Sequence, residues 1–172
     1  MQSLVYLSLG AALLLLGSCA GAPAPAEARA RALSLLDDDV DAAVRYMRDL
    51  ESNDLGLEIV RAQASLKTGA TVDAMARYTK VADTAHDVEL AEFARRNLAT
   101  LQMQAGQPAA AFATLNKLGD EAKKDPKVQY ELGVAAVSAG RLDLARQHFS
   151  KLPKAERQRV DDILGQDFLT RR

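Results

Sequence analysis

The sequence predicts an all-α fold in which antiparallel helix pairs stack side by side, an arrangement known as an α-solenoid. The first reason is an internal repeat. Three segments of similar sequence follow one another, Lys67–Val81, Gln104–Leu118 and Ser138–Leu152, with spacings of 37 and 34 residues. A period in this range is typical of helical repeat arrays, whose units bury their apolar faces only by stacking on their neighbours.

Composition is the second reason. Of the 172 residues 48% are hydrophobic, but only 5% are aromatic and Trp is absent. Ala and Leu therefore supply most of the apolar surface, which suits closely packed helices better than a β-sandwich. The 22 basic and 23 acidic residues nearly cancel. This balance gives no electrostatic basis for binding nucleic acid, so nucleic acid is not an expected partner.

The N-terminus carries the features of an exported, lipid-anchored protein. Leu4–Leu16 is an apolar run of 13 residues, shorter than the ~20 residues that span a bilayer and as long as a signal-peptide core. It leads into a Leu-Gly-Ser-Cys sequence that ends at Cys19 and resembles the bacterial lipobox. The resemblance implies cleavage between Ser18 and Cys19 and lipidation of the Cys19 thiol. Ala20 follows instead of Asp, which by the same resemblance favours the outer membrane.

Two alternatives stay open for this N-terminal segment. No Lys or Arg precedes Arg29, although signal peptides begin with a basic region. A plain secretory signal would fit, and so would an uncleaved N-terminal helix in which Cys19 is an ordinary small residue. Cys19 is the one cysteine of the sequence, which excludes an intrachain disulfide and a Cys-based zinc site.

The chain divides into five predicted segments. They are a lipoprotein signal peptide, a lipidated cysteine with a flexible tether, an N-terminal helical pair, the repeats with a closing helix, and a polar tail, over residues 1–18, 19–26, 27–54, 55–165 and 166–172. Pro23 and Pro25 favour extended backbone in the tether. Phe168 and Leu169 are the tail residues expected to dock on the domain.

Apolar spacing near 3.6 residues and capping residues predict the individual helices. A first helix over Glu27–Leu36 stops at Asp37-Asp38-Asp39, an acidic run that favours the start of the next helix. A metal cluster at these aspartates is the weaker alternative, because calcium loops space their ligands around a Gly-containing turn. The later helices are predicted over Leu55–Thr68, from a cap at Thr71 to Val81, over Val88–Gln104, from Pro108 to near Gly119, from Asp125-Pro126 to Gly140, over Leu142–Leu152 and over Ala155–Leu164.

Three columns of the repeat are structural. Each repeat is predicted to be two antiparallel helices, A and B, joined by a Gly turn. Five residues after the Gly comes an Ala that lets the helices approach closely, and four residues later comes a large residue on the same face of helix B. The three columns are Gly69, Gly106 and Gly140; Ala74, Ala111 and Ala145; and Tyr78, Leu115 and Phe149.

These columns resemble the tetratricopeptide repeat. In the last copy a Leu-Gly pair, Leu132-Gly133, stands on helix A as in that family, whereas the second copy has Leu98-Ala99 and the first has Arg61-Ala62. The resemblance implies a right-handed α-solenoid of about three repeats with flanking helices. The sequence of Tyr78–Leu118 is similar to that of the YfgM-like branch of tetratricopeptide repeats. Members of that branch associate with the Sec translocon and periplasmic chaperones.

The resemblance also implies a binding site, because tetratricopeptide repeats bind peptides in a concave groove lined by their A helices. The corresponding residues are Gln63, Lys67, Arg96, Thr100, Gln104, Lys127, Tyr130 and Val134. Lys67, Arg96 and Lys127 together would give a mildly basic groove suited to an acidic or C-terminal peptide segment. The alternative is that these are solvated helix residues without a ligand.

No enzymatic motif is present in the sequence. It contains no hydrolase elbow, phosphate-cradling Gly loop or zinc-protease motif, so neither an enzyme nor a cofactor or metal site is predicted. His86 and His148 lie in different segments, and His148 is expected to be partly exposed. Glu89 and Glu92 are expected to pair along one helix with the Arg95 and Arg96 side chains.

Three hypotheses for function follow. The first is an envelope-anchored scaffold that binds other envelope proteins or their peptide segments through the groove, and the membrane through the lipid on Cys19. The second is a YfgM-like periplasmic chaperone or Sec-translocon accessory. The third and weakest is an envelope enzyme.

Overall fold

The computed structural model describes residues 23–50, 52–165 and 168–169. The predicted cleavage and lipidation residues, Ser18 and Cys19, lie outside these ranges. Within the described residues the chain forms nine α-helices and one short 3-10 helix, and no strand. The elements are α1 Pro25–Asp38, α2 Val40–Arg48, α3 Leu55–Lys67, α4 Thr71–Thr84, α5 Val88–Gln104, α6 Pro108–Asn116, the 3-10 helix Ala122–Lys124, α7 Pro126–Ser138, α8 Leu142–Phe149 and α9 Lys154–Leu164.

Apolar packing confirms the predicted α-solenoid. Three cores follow one another along the chain, and a helix at each boundary contributes to both neighbouring cores. In α3, Leu57 and Val60 face the core made with α1 and α2, whereas Ile59 faces the core made with α4 and α5. In α5, Leu98 belongs to the second core and Ala99 to the third. Units that share helices in this way bury their apolar faces by stacking.

The three turns between A and B helices are built alike, as the Gly column predicts. Gly69, Gly106 and Gly140 have φ angles of 79°, 70° and 72°, in the left-handed region that Gly adopts at little cost. Each turn closes with the pair of hydrogen bonds of a Schellman motif. At Gly69, for example, the Ala70 N–H donates to the Ser65 carbonyl at 2.7 Å and the Gly69 N–H donates to the Leu66 carbonyl at 3.1 Å.

The other two repeat columns fill the interior of the helix pairs. All six residues of these two columns are buried: the alanines fully, and the large residues with at most 3% of their surface exposed. Phe149 packs directly on Gly133 of α7, because a Cβ added at Gly133 would lie 2.3 Å from the Phe149 Cε1 atom. The Gly of the Leu-Gly pair in the last repeat is therefore required by the aromatic residue that faces it.

Aspartates begin four of the helices. Asp39, Asp54, Asp87 and Asp125 each accept a hydrogen bond from a backbone N–H in the first turn of the helix that follows. The predicted cap at Thr71 is wrong, since Ala70 occupies the N-cap position of α4 without a side-chain cap. Ala70 both closes the Schellman turn and occupies the N-cap position, so Thr71 is already the first residue of the helix.

The aspartate run behaves differently from the prediction. Its first two residues, Asp37 and Asp38, form the end of α1, and Asp39 alone caps α2 with an Ala42 N–H donor at 2.9 Å. The break between the helices is thus one residue long. Among the described residues no cluster of three His, Cys, Asp or Glu side chains is arranged to hold a metal ion.

Two helices end earlier than predicted. Helix α6 stops at Asn116 and α8 at Phe149, before Gly119 and Leu152. After each end the chain tightens into i→i+3 hydrogen bonds, such as Leu152 N–H to the Phe149 carbonyl at 3.1 Å. This tightening turns Leu152 inward, where it is 3% exposed, so the apolar spacing continues beyond the helix.

The two ends of the described chain also differ in part from the prediction. Helix α1 begins at Pro25, so the last two residues of the predicted tether are helical; Pro suits the first turn because its missing N–H needs no partner there. In the tail, the Phe168 and Leu169 side chains pack against the third core as expected. Arg146 Nε donates to the Phe168 carbonyl at 2.9 Å and holds the tail in place.

Candidate functional site

An apolar cavity lies between α7 and α9, two helices that have the same place in successive pairs. Its volume is about 200 Å³. One wall is Tyr130, Val134, Val137 and Ser138 of α7, the floor is Phe149, and the other wall is Val160, Ile163 and Leu164 of α9. Two predicted groove residues, Tyr130 and Val134, therefore contribute to the same cavity.

The mouth of this cavity is unusually apolar for a protein surface. Tyr130 is 42% exposed, Ile163 is 72% exposed and Leu164 is 38% exposed. The Tyr130 and Phe149 rings are tilted with their centroids 5.9 Å apart, so the exposed ring rests on a buried one. A contiguous exposed apolar surface with a concave centre is typical of a binding site for an apolar side chain.

The basic groove is less basic than predicted. Arg96 of α5 reaches Glu131 of α7 through two parallel hydrogen bonds, Nη2 to Oε1 at 2.7 Å and Nε to Oε2 at 3.2 Å. These hydrogen bonds raise the pKa of Arg96 although partial burial opposes them. Lys67 contacts α1, where its Nζ donates to the Leu36 carbonyl at 2.7 Å and lies 3.7 Å from Asp37. Both charges thus join neighbouring helices.

The other predicted groove residues are not brought to one point. Gln63 is partly buried and Gln104 is exposed. Thr100 is exposed and donates its hydroxyl to the Arg96 carbonyl of its own helix at 3.0 Å. Lys127 is exposed on α7, three residues before Tyr130 and therefore on the same helix face. Of the three predicted cations, Lys127 is the one on a helix that lines the apolar cavity.

The predicted pairing of Glu89 and Glu92 with arginines of the same helix is wrong. Arg95 Nη2 donates to the Ala82 carbonyl near the end of α4 at 2.8 Å, and Arg96 turns to α7. Glu92 accepts a hydrogen bond from the Gly119 N–H at 3.0 Å. Long side chains at helix-pair boundaries bridge to the neighbouring element here, and local spacing alone does not show these partners.

A buried carboxylate organises the boundary between α2, α3 and α4. Glu58 is 5% exposed. It accepts hydrogen bonds from Arg61 at 2.7 Å and Arg77 at 3.0 Å, and Lys80 Nζ lies 3.5 Å away. Burial would raise the pKa of Glu58, but the Arg61 hydrogen bond and the three positive charges outweigh burial and lower it. Glu58 is therefore ionised at neutral pH.

Arg61 extends this network to α2. Its Nη2 atom donates to the Met47 and Leu50 carbonyls at 3.0 and 2.8 Å, at the C-terminal end of α2 where carbonyls lack helical partners. This explains why the first repeat has Arg where the last repeat has Leu132. The sequence showed Arg61 as a departure from the repeat pattern, but it did not show which groups Arg61 binds.

His148 is buried, contrary to the expectation of partial exposure. It is 9% exposed, and its Nδ1 lies 2.9 Å from Gln129 Oε1. Because the Gln129 amide nitrogen donates to the Lys123 carbonyl, its oxygen faces His148, and Nδ1 carries the proton. Burial, with the nearby charges of Lys151 and Lys123, lowers the pKa of His148. The polar His148 side chain on helix B is thus buried with its hydrogen bond made.

Sequence reasoning missed several residues of the candidate site. Ile163 and Leu164 belong to the closing helix, for which no groove role was inferred, and Glu131 neutralises Arg96. A signal existed for Ile163 and Leu164, because two large apolar residues end a helix that is otherwise polar.

The arrangement defines a class of protein. Helix pairs that share cores and turn on left-handed glycines form an α-solenoid, and proteins of this class use their extended surfaces to bind other molecules. Within this class, residues 102–166 match the family model of the tetratricopeptide repeat. This match runs from the end of α5 through α9 and includes the apolar cavity.

Solved structures extend the likeness to most of the chain. The structure is similar to two structures of MamA, one labelled AMB-1 and the other MSR-1, with a TM-score of 0.56 in each case. Sequence identity is 22% and 21%, and the alignments cover 72% of this chain and 74% and 72% of the MamA chains. At this identity the similarity shows the fold. No curated protein matches the sequence significantly.

None of the described helices combines the length and the apolar character that crossing a bilayer requires.

Proposed function

We propose that this protein is an envelope-anchored scaffold that binds a segment of another envelope protein in the apolar cavity between α7 and α9. The observation that carries the proposal is the exposed apolar mouth of that cavity, formed by Tyr130, Ile163 and Leu164. Helical solenoids expose such surfaces for binding, and the charged side chains that line the cavity among α2, α3 and α4 are absent from the lining of this one.

The size and charge of the cavity favour a particular kind of segment. A volume of about 200 Å³ accommodates one or two apolar side chains and is smaller than the ~300 Å³ at which drug-sized ligand pockets begin. Lys127 stands one helical turn before Tyr130 on the same face of α7. We therefore expect a peptide with an apolar anchor and a carboxylate one turn or a few residues away, held by Lys127.

The anchor rests on the lipobox resemblance at Cys19. Pro25, where α1 begins, lies six positions after Cys19. A fully extended chain of that length would span at most about 20 Å. Lipidation would therefore keep the first helix pair close to the membrane surface and present the α7–α9 cavity at the far end of the array.

Mass spectrometry of the mature N-terminus tests the anchor. The expected result is a chain that begins at Cys19 and carries acyl groups on that residue. A chain that keeps Met1, or one that begins at an unmodified Cys19, would contradict the proposal. Fractionation of the two membranes then tests the expected outer-membrane location.

A crosslinking pull-down from intact envelopes tests the binding surface with a matched pair of variants. Ile163→Glu places a charge at the cavity mouth, whereas Val72→Glu places the same charge on α4 at a residue that is 82% exposed and far along the chain from the cavity. Ile163 is itself 72% exposed, so neither change should cost much folding stability. We expect Ile163→Glu alone to lose partners; an equal loss from Val72→Glu would refute the surface.

The identity of the captured proteins separates the two remaining hypotheses. Capture of Sec components that depends on Ile163 would favour the YfgM-like accessory role. Capture of proteins from an envelope assembly, with no Sec enrichment, would favour the scaffold.

A further inference from the structure

A second cavity lies at the other end of the array, among α2, α3 and α4, and its volume is about 380 Å³. It shares no residue with the α7–α9 cavity. We propose that it is a separate binding site for a single carboxylate of an acidic peptide segment. The proposal does not depend on the α7–α9 cavity or on the lipid anchor.

The cavity combines an apolar base with a charged rim. Val44 and Met47 of α2 and Ala64 of α3 line its apolar part. Its volume falls within the ~300–1,000 Å³ that is typical of ligand pockets, which are mainly apolar with a few placed polar groups. Such a site suits a ligand that carries aliphatic carbon beside one charge.

Two guanidinium groups at the rim are held in place from behind. Arg61 is fixed by Glu58 and by two carbonyls of α2, and it serves mainly as a support. Arg77 uses Nη1 for Glu58 and Nε for Asp73, at 3.0 and 2.8 Å. Its Nη2 makes no hydrogen bond to any described residue. A fixed guanidinium with a remaining donor is well suited to bind a carboxylate oxygen, because little side-chain entropy is lost on binding.

Arg48 supplies the second donor group. It lies at the end of α2, lines the cavity and is exposed. Among the described residues it forms no ion pair and no side-chain hydrogen bond. Arg48 therefore makes no hydrogen bond or ion pair with the Glu58 network, although it lines the same cavity as Arg77.

The charges around the cavity select a monoanion. Arg48, Arg61 and Arg77 of the lining, together with Lys80 beside Glu58, carry four positive charges against the three negative charges of Asp41, Asp73 and Glu58, an excess of one positive charge. Asp73 is already bound to Arg77 and to the Ser65 hydroxyl, and these hydrogen bonds lower its pKa. One carboxylate would balance the lining, whereas a phosphate dianion would meet repulsion from the aspartates.

A purely structural role for the cluster makes a different prediction. If the charges serve only to join α2, α3 and α4, then Arg48 has no part in it and its removal changes nothing. If the cavity binds a carboxylate, Arg48 is required for binding but not for folding. Arg45 is a matched control, because it is an exposed arginine on the same helix that does not line the cavity.

The test is an NMR titration of the isotope-labelled full chain in detergent micelles. The probe is a five-residue peptide, blocked at both ends, with a central Glu between Ala and Leu residues; the comparison probe has Gln in place of Glu. We expect the Glu peptide to shift the amide signals of Ser65, Thr68 and Ala70 saturably. Binding should weaken about tenfold for the Gln peptide and about tenfold for Arg48→Ala, with no change for Arg45→Ala.

Several outcomes would overturn the proposal. They are no saturable shift at these amides, equal binding of the Glu and Gln peptides, equal loss for Arg45→Ala and Arg48→Ala, or tighter binding of inorganic phosphate than of the Glu peptide. Shifts confined to α7 and α9 would also overturn it and would instead favour the other cavity. Since Arg48 is exposed, a failure of the variant to fold is not expected to obscure the result.

Discussion

The pair α3–α4 and the pair α7–α8 have the same turn but different interiors. Both turn on a left-handed Gly with the same two hydrogen bonds, and both bury a column Ala and a column aromatic residue. Between the helices of α7–α8 the decisive contact is apolar, with Phe149 seated on Gly133. In α3–α4 the buried Glu58 network lies one helical turn before the equivalent contact, at the level where α7–α8 has the uncharged Gln129–His148 pair.

The difference follows from what each pair must join. Helix α3 receives α1 and α2, and Arg61 reaches across to the unpartnered carbonyls of α2. That reach requires a carboxylate to neutralise the buried guanidinium, which Glu58 provides. The pair α7–α8 has no such task at this position and keeps the apolar Leu132-Gly133. A departure from the repeat pattern therefore indicates a docking surface between units.

The largest expected effect comes from breaking the charged network. Glu58→Gln keeps the shape of the side chain but leaves Arg61 without its counter-charge and Arg77 with Asp73 alone. Removing one partner of a buried ion pair typically costs about 3–5 kcal/mol, so we expect a loss of that order in urea unfolding. The control is Glu131→Gln, which removes a partly exposed partner of Arg96 and should cost about 1 kcal/mol or less. Equal losses from both changes would show that the buried Glu58 network contributes no more stability than the partly exposed Arg96–Glu131 pair.

The apolar pair should be disrupted by adding one methyl group. Gly133→Ala puts a Cβ within 2.3 Å of the Phe149 ring, and overpacking of this kind costs about 1–3 kcal/mol. Adding Phe149→Leu should restore much of the stability, because the second repeat combines Ala99 with Leu115. If the double variant is as unstable as the sum of the two single changes, the proposed contact between these positions is wrong.

Acid should weaken the α7–α8 side through His148. Its pKa is lowered in the fold, so between its folded and ordinary values the unfolded chain binds more protons, and stability falls as pH drops below about 6.5. His148→Asn keeps a donor toward Gln129 and should remove this part of the pH dependence between pH 5 and 7, which unfolding at a series of pH values would measure. His86→Asn, at an exposed loop residue, should leave it unchanged.

The smallest expected effect is at the tail. Phe168 meets Phe149 edge to face with ring centroids 6.3 Å apart and lies under the Arg146 guanidinium. Phe168→Ala should lower the unfolding free energy by about 1 kcal/mol, the usual value of such aromatic contacts. Phe93→Ala, at an exposed aromatic residue, is the comparison. No difference between them would mean that the tail adds nothing to the third core.

Much of the fold could be predicted because its signals are local. The turn glycines and the helix starts at Asp39 and Asp125 depend on residues within a few positions of themselves, and the periods of the columns then set the stacking. The candidate site was predicted only in part. Tyr130 and Val134 lie on the expected helix face, but their partners on α9 come from an element that the repeat pattern does not cover.

What sequence reasoning could not supply was the choice of partner for long polar side chains. Arg96 had acidic neighbours on its own helix, yet it binds Glu131 on the next pair. His148 looked like a surface residue by its polarity, but Gln129 satisfies it in the interior. Both outcomes depend on the distance between helices, which single-helix spacing does not contain.

The division of α3 between two cores has a consequence for partial damage to the protein. If proteolysis within residues 49–54 released the first helix pair, Leu57, Val60 and Ala64 would be uncovered, while Ile59 and Ala62 would keep their contacts with α4 and α5. The remaining fragment would retain two of the three cores and would expose one apolar strip on α3. Cleavage at that point would thus expose an apolar surface of α3 to which another chain could bind, while the rest of the array would stay folded.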